Sequence, residues 1–164
     1  QSGRMVSLAL PPGLGDDVIA QIAAEADRHG VQVADHTWPP APERMREPAT
    51  AVAAEAAPAL PSPWPRAIGI GLDPAAVALA GEGIATAAAR VSDRLLSARL
   101  CDLSSAGRVL PGSADGRLDL LAYAAALSLA PAGVPIVVDV RGLYEQDAAA
   151  RQMIEGWRRG ELPV

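Results

Sequence analysis

Short apolar runs bounded by Gly, Pro or Asp recur along this chain, and between them apolar positions return at helical spacing. Runs of this length suit strands buried on both faces, and spacing near 3.6 suits helices that cover them. The predicted strands are Val6 to Leu10, Val31 to Asp35, Ala67 to Leu72, Leu95 to Leu100 and Pro135 to Val140. The first helix starts from Asp16 as N-cap, turns Val18, Ile19, Ile22 and Ala26 to one face, and stops at Gly30. One helix follows Asp73-Pro74 and ends near Val91, another spans Leu118 to Leu129, and the last runs from Glu145 to Arg158. In that last helix Ala149, Met153, Ile154 and Trp157 are expected to point inward. Eight prolines punctuate residues 39–66, which leaves Ala49 to Ala57 as the stretch there able to form regular helix.

Strands alternating with helices, and no sign of hairpins, predict an α/β fold built on a parallel sheet of βα units. At 164 residues the chain suits one such domain, with residues 39–66 as an irregular Pro-rich connection and Ser104 to Gly116 as a long polar loop. Half of the residues are hydrophobic, mostly Ala, Val and Leu, and there is no Phe. Small side chains of this kind bring helices close to the sheet.

Charge narrows the partners. The net charge is −5, every basic residue is Arg, and the densest basic cluster is the pair Arg158-Arg159. A nucleic-acid groove is therefore not expected. The single cysteine, Cys101, excludes an internal disulfide and fits a reducing compartment. With no apolar run near eighteen residues and no leader pattern, the expectation is a cytoplasmic protein without a membrane partner.

In parallel α/β proteins chemistry gathers at the carboxyl ends of strands. Polar residues at those ends are His36, Asp73, the Arg99-Leu100-Cys101-Asp102 segment, and Asp139 with Arg141. Each also has a plainer reading. Asp73-Pro74 can be a turn that caps the next helix, His36 a loop histidine, and Asp139-Arg141 a surface pair. Arg99 can point away from the others, and Cys101 reads better as a small buried filler than as a nucleophile. Gly69-Ile70-Gly71 lies inside a strand, so it is not a dinucleotide fingerprint.

Taken in order, these segments resemble the xylose-isomerase-like sugar isomerases and epimerases, TIM barrels that include the endonuclease IV relatives. The segments are ADRHG-VQVADHT, GIGLDPAAVALAGE, RVSDRLLSARLCDL, GRLDLLAYAAAL and GVPIVVDVRG. They correspond to the carboxyl-terminal five βα units of an eight-unit barrel. The resemblance implies one divalent metal held by Glu, Asp, His and Glu at four successive strand ends. In this chain those positions are His36, Asp73, Arg99 and Asp139, and a further family histidine falls on Ser97. An arginine stays protonated and cannot ligate a cation, but its fork can neutralise two carboxylates at once. The implied site is therefore degraded, with no cofactor, and a divalent metal (Mn, Zn or Mg) belongs only to an intact version; His36, Asp73 and Asp139 would be its remnants.

Five strands cannot close a barrel that needs eight and usually about 250 residues. The sheet is thus either a partial or abbreviated TIM barrel, or an open doubly wound flavodoxin-like sheet. The expected function is that of a sugar (phosphate) isomerase/epimerase-like protein with a degraded metal site. His36 and Asp139 would be its acid and base, and Asp73, Arg99 and Arg141 its contacts to a carbohydrate-like small molecule. The alternatives are a non-catalytic binding or scaffold module and a flavodoxin-like ligand-binding domain. An uncovered sheet implies a homo-oligomer, or a missing N-terminal half that would complete the barrel.

Overall fold

Alternation sets the two faces of the sheet. In a strand successive side chains point to opposite sides, and paired residues of parallel neighbours share a side. The computed structural model describes residues 4–11, 13–37, 65–130 and 133–160. Its main sheet has five strands in the order β1 (Arg4–Leu8), β2 (Val31–Asp35), β3 (Ile68–Leu72), β4 (Leu95–Leu100) and β7 (Ile136–Val138), all neighbours parallel. A separate antiparallel hairpin, β5 (Asp102–Ser104) and β6 (Gly107–Val109), follows β4 directly. The helices are α1 (Asp16–His29), α2 (Pro74–Leu79), α3 (Ile84–Arg90), α4 (Leu120–Leu127) and α5 (Gln146–Arg159).

The strand order of the main sheet follows the chain without reversal, and the sheet curls like half of a barrel. A doubly wound sheet requires a reversal in strand order, so that alternative loses its defining feature. What stands is an α/β protein with an open, curled parallel sheet.

Register places all helices on one face. Val33 pairs with Ile68, Ile70 with Leu95, and Leu72 with Ala98, which in turn pairs with Ile136. Val33, Ala67 and Ile68 pack with Ile19, Ala23 and Ala26 of α1. Ile70, Leu72, Leu95 and Ala98 pack with Val77, Ile84, Ala87, Leu120 and Tyr123 of the later helices. The opposite face carries Ala34, Gly69, Gly71, Ser97, Arg99 and Val137. Its small side chains leave room that two larger ones fill. A β-bulge at Leu96 shifts the β3–β4 register, and Leu96 leans over Gly69, where a Cβ would stand 2.6 Å from its Cγ.

Several boundaries differ from the sequence reading. Gly15, not Asp16, caps α1, and the two aspartates Asp16 and Asp17 sit in its first turn against the positive end of the helix dipole. Gly30 closes α1 with φ of 61°, a left-handed angle that glycine adopts without strain. The single helix expected after Asp73 is two, because the chain turns at Gly81, whose φ is 80°. The polar loop expected from Ser104 contains strand β6, and the expectation of no hairpin fails there because strands of three residues are too short to show alternation. In α5, Ala149 and Met153 are buried and Trp157 packs on the core, but Ile154 is 38% exposed. The helix expected at Ala49 to Ala57 lies outside the described residues. Among the described residues no helix is long and apolar enough to cross a membrane.

Among the described residues β1 pairs on one side only, and its Val6 and Leu8 are each 40% exposed. An apolar strand with an open edge is a template for association. The chain is expected to self-associate at micromolar concentration, and light scattering that shows a monodisperse monomer would contradict this.

Candidate functional site

The carboxyl ends of β2, β3, β4 and β7 bring the predicted residues together. Asp73 follows β3, Arg99 lies on β4, Asp139 follows β7, and Arg141 stands two residues on. Both aspartate side chains are 3% exposed. A buried carboxylate requires compensation, and the two oxygens of Asp73 find it separately. Oδ1 accepts from the backbone amides of Ala75 and Ala76 at 3.1 and 3.2 Å, capping α2 with Pro74 at its first position. Oδ2 accepts from Arg99 at 3.2 Å, Arg108 at 2.7 Å and Arg141 at 3.1 Å. The capping reading and the site reading of Asp73 therefore hold together, one on each oxygen.

Asp139 meets the same three guanidiniums. Arg141 donates to Oδ1 from Nε at 2.7 Å and from its backbone amide at 3.2 Å, and it also reaches Oδ2. Arg108 Nε lies 3.0 Å from Oδ2, and Arg99 Nη1 lies 3.7 Å from it. Burial works against ionisation of Asp139, but the hydrogen bonds and charge of Arg141, helped by Arg108, outweigh it and hold the carboxyl below its usual value. For Arg141 the bond to Asp139 leads and raises its pKa despite partial burial. For Arg108 burial is the largest influence and opposes the charge, yet Asp73 overcomes it. The three arginine side chains are 18%, 24% and 57% exposed for Arg99, Arg108 and Arg141. Asp139-Arg141 thus belongs to a cluster of five charged residues rather than forming a separate surface pair, and Arg99 points into it.

Arg108 is the residue that the sequence reading missed. It sits on β6, opposite Leu103 of β5, and the hairpin folds it back over the sheet end. The available signal was the short Ser105-Ala106 turn and the glycine after it, Gly107, which opens β6 with φ of 130°. Asp102, by contrast, serves the chain itself. Its Oδ1 accepts from the amides of Leu103, Arg117 and Leu118, tying the end of the polar loop to the start of β5. Asp35 does similar work for Leu10 and Thr37.

His36 crosses the strand beside it. Its ring lies on Gly71, where a Cβ would stand 2.3 Å from Nε2, and that nitrogen is 3.0 Å from Ser97 Oγ on the next strand. Nδ1 is buried and has no hydrogen-bond partner among the described residues. Burial first, and then the charge of Arg99, lower the His36 pKa to about 4. The ring is neutral at neutral pH.

A divalent metal fits this donor set poorly. Ligand atoms of Asp73, Cys101 and Asp139 lie within 4.8 Å of one another. Yet Asp73 Oδ2 and Asp139 Oδ2 are both claimed by guanidinium groups, which repel a cation. Burial, reinforced by the two aspartates, raises the Cys101 thiol to about 12, so it is no thiolate and no nucleophile at neutral pH.

Two measurements follow from His36. Gly71→Ala should cost about 1–3 kcal/mol in urea unfolding, because a ring pinned at Ser97 cannot easily yield. Adding His36→Ala should recover part of that loss, since the clash needs both side chains. The pH dependence has a definite sign. With a folded pKa of about 4 against about 6.5 unfolded, the unfolded chain binds the extra proton between those values, so stability falls on acidification. The His36 share should be about 2 kcal/mol lower at pH 5 than at pH 7.5. In the His36→Gln variant that part of the slope should vanish.

Comparison with known proteins adds no relative to this geometry, because no family model, no curated protein and no solved structure matches the chain.

Proposed function

We propose that this chain is a sugar isomerase/epimerase-like domain that has exchanged its metal centre for an arginine cluster and serves recognition of a carbohydrate-like small molecule rather than metal-dependent catalysis. One observation carries the reading. Arg99, Arg108 and Arg141 converge on Asp73 Oδ2 and Asp139 Oδ2, so guanidinium groups supply the positive charge that a bound cation would otherwise give two neighbouring carboxylates. In the resemblance, Asp73 and Asp139 fall on metal-ligand positions and Arg99 on the intervening histidine.

Proton chemistry speaks for recognition too. Shifting a proton between neighbouring carbons needs one group that gives and one that takes, with pKa values on either side of the working pH. His36 titrates near 4 and Asp139 lies below its ordinary value, so both are unprotonated at pH 7. The nearby hydrogen-bearing groups are weak acids, since burial raises Cys101 to about 12 and Tyr123 far above its usual value. The pair expected as acid and base offers two acceptors and no matched donor. Arg99, Arg108 and Arg141 are then the contacts that bind and orient a ligand at the carboxyl edge.

Calorimetry with manganese and zinc tests the exchange. The unmodified protein should show no stoichiometric site of submicromolar affinity, and finding one that is lost in Asp73→Asn would refute the reading. Arg99→His should not create such a site by itself, because Arg108 and Arg141 still occupy both carboxylates.

A further inference from the structure

The charge and the donors of this cluster do not balance. Three arginines face two aspartates, which leaves one formal positive charge, and the neighbouring His36 and Cys101 are neutral at pH 7. The chain as a whole carries −5, so this excess is local to the site. A guanidinium offers five N–H donors in a fixed fork, and the three together offer far more than two carboxylates accept. Asp73 has no capacity left, since Oδ1 is taken by the helix cap and Oδ2 already accepts from three side chains. Among the described residues, Arg108 Nε is buried 3.0 Å from Asp139 Oδ2 yet makes no hydrogen bond, and Arg99 donates only through Nη1. Arg141 is 57% exposed, so the open side of the cluster is a guanidinium rather than a carboxylate.

From this imbalance we infer that the site takes a small monoanionic carboxylate bearing hydroxyl groups, a sugar acid in chemical class, with its carboxylate against Arg141. The hydroxylated part of this statement rests on the function proposed above, and the anionic part rests on the cluster alone. A single carboxylate matches the residual charge of one, and its two oxygens fit a guanidinium fork. A phosphate ester carries about −1.5 to −2 at pH 7 and would leave the pocket negative beside Asp73 and Asp139. A neutral sugar leaves the surplus charge and donors unanswered.

Gluconate, glucose and glucose 6-phosphate, titrated calorimetrically into the full chain at pH 7.5 and low salt, decide the question. Gluconate should bind stoichiometrically, at least tenfold more tightly than glucose or glucose 6-phosphate. Arg141→Gln should weaken gluconate at least tenfold, and Arg141→Lys, which keeps the charge without the fork, should fall between. Arg158→Gln, on α5 and outside the cluster, should bind like the unmodified protein. Equal affinity for glucose and gluconate, or tighter binding of glucose 6-phosphate, overturns the inference while leaving the metal-free reading in place. Binding of none of the three by a folded protein overturns it as well. A submicromolar manganese or zinc site that Asp73→Asn abolishes overturns the underlying reading instead.

Discussion

Two carboxylates buried side by side at the end of a parallel sheet set the terms for everything around them. Left alone, Asp73 and Asp139 would repel each other in a medium that screens poorly, and one would be driven to take up a proton. Breaking such a pairing after burial typically costs about 3–5 kcal/mol. The chain meets that demand from three directions. Arg99 comes from the strand between them, Arg141 from the turn after β7, and Arg108 from a hairpin that leaves the sheet altogether. The strand order matters here because it places β3, β4 and β7 side by side, so their ends converge.

The other face of the same strands shows a second economy. β3 reads Ile-Gly-Ile-Gly-Leu, with each isoleucine and the leucine fully committed to the helices and each glycine bare on the opposite side. The bare positions are not empty. Leu96 covers one through a bulge, and His36 covers the other by lying across β3 to reach Ser97. A histidine in that place is a packing element as much as a chemical one. Its burial is what keeps it neutral, and its neutrality is what lets it sit near Arg99.

Much of this was legible in the residues. β2 and β4 stand where their apolar runs place them, since Gly30 and Arg94 mark where each run starts. Asp73, Arg99, Asp139 and Arg141 read as a group because each ends a strand of the same series, and strand ends converge in a curled sheet. The parts that escaped were decided by contacts distant in sequence or by glycine angles. The break between α2 and α3 depends on Gly81 turning left-handed, which an alanine-rich run masks. Arg108 depends on a hairpin of three-residue strands, too short to show alternation. The pairing of His36 with Ser97 spans 61 positions and depends on the missing side chain of Gly71 between them.

Asp73 joins two systems that are usually separate. One oxygen holds the start of a helix and the other holds the charges of the pocket. Negative charge drawn onto Oδ2 by the arginines is charge that Oδ1 no longer offers to the N–H groups of Ala75 and Ala76. A change in the charge around Oδ2 is therefore passed on to the hydrogen bonds of those two backbone amides. In a nuclear magnetic resonance spectrum they form a built-in gauge, readable without any label on the arginines, of how much charge the site is holding.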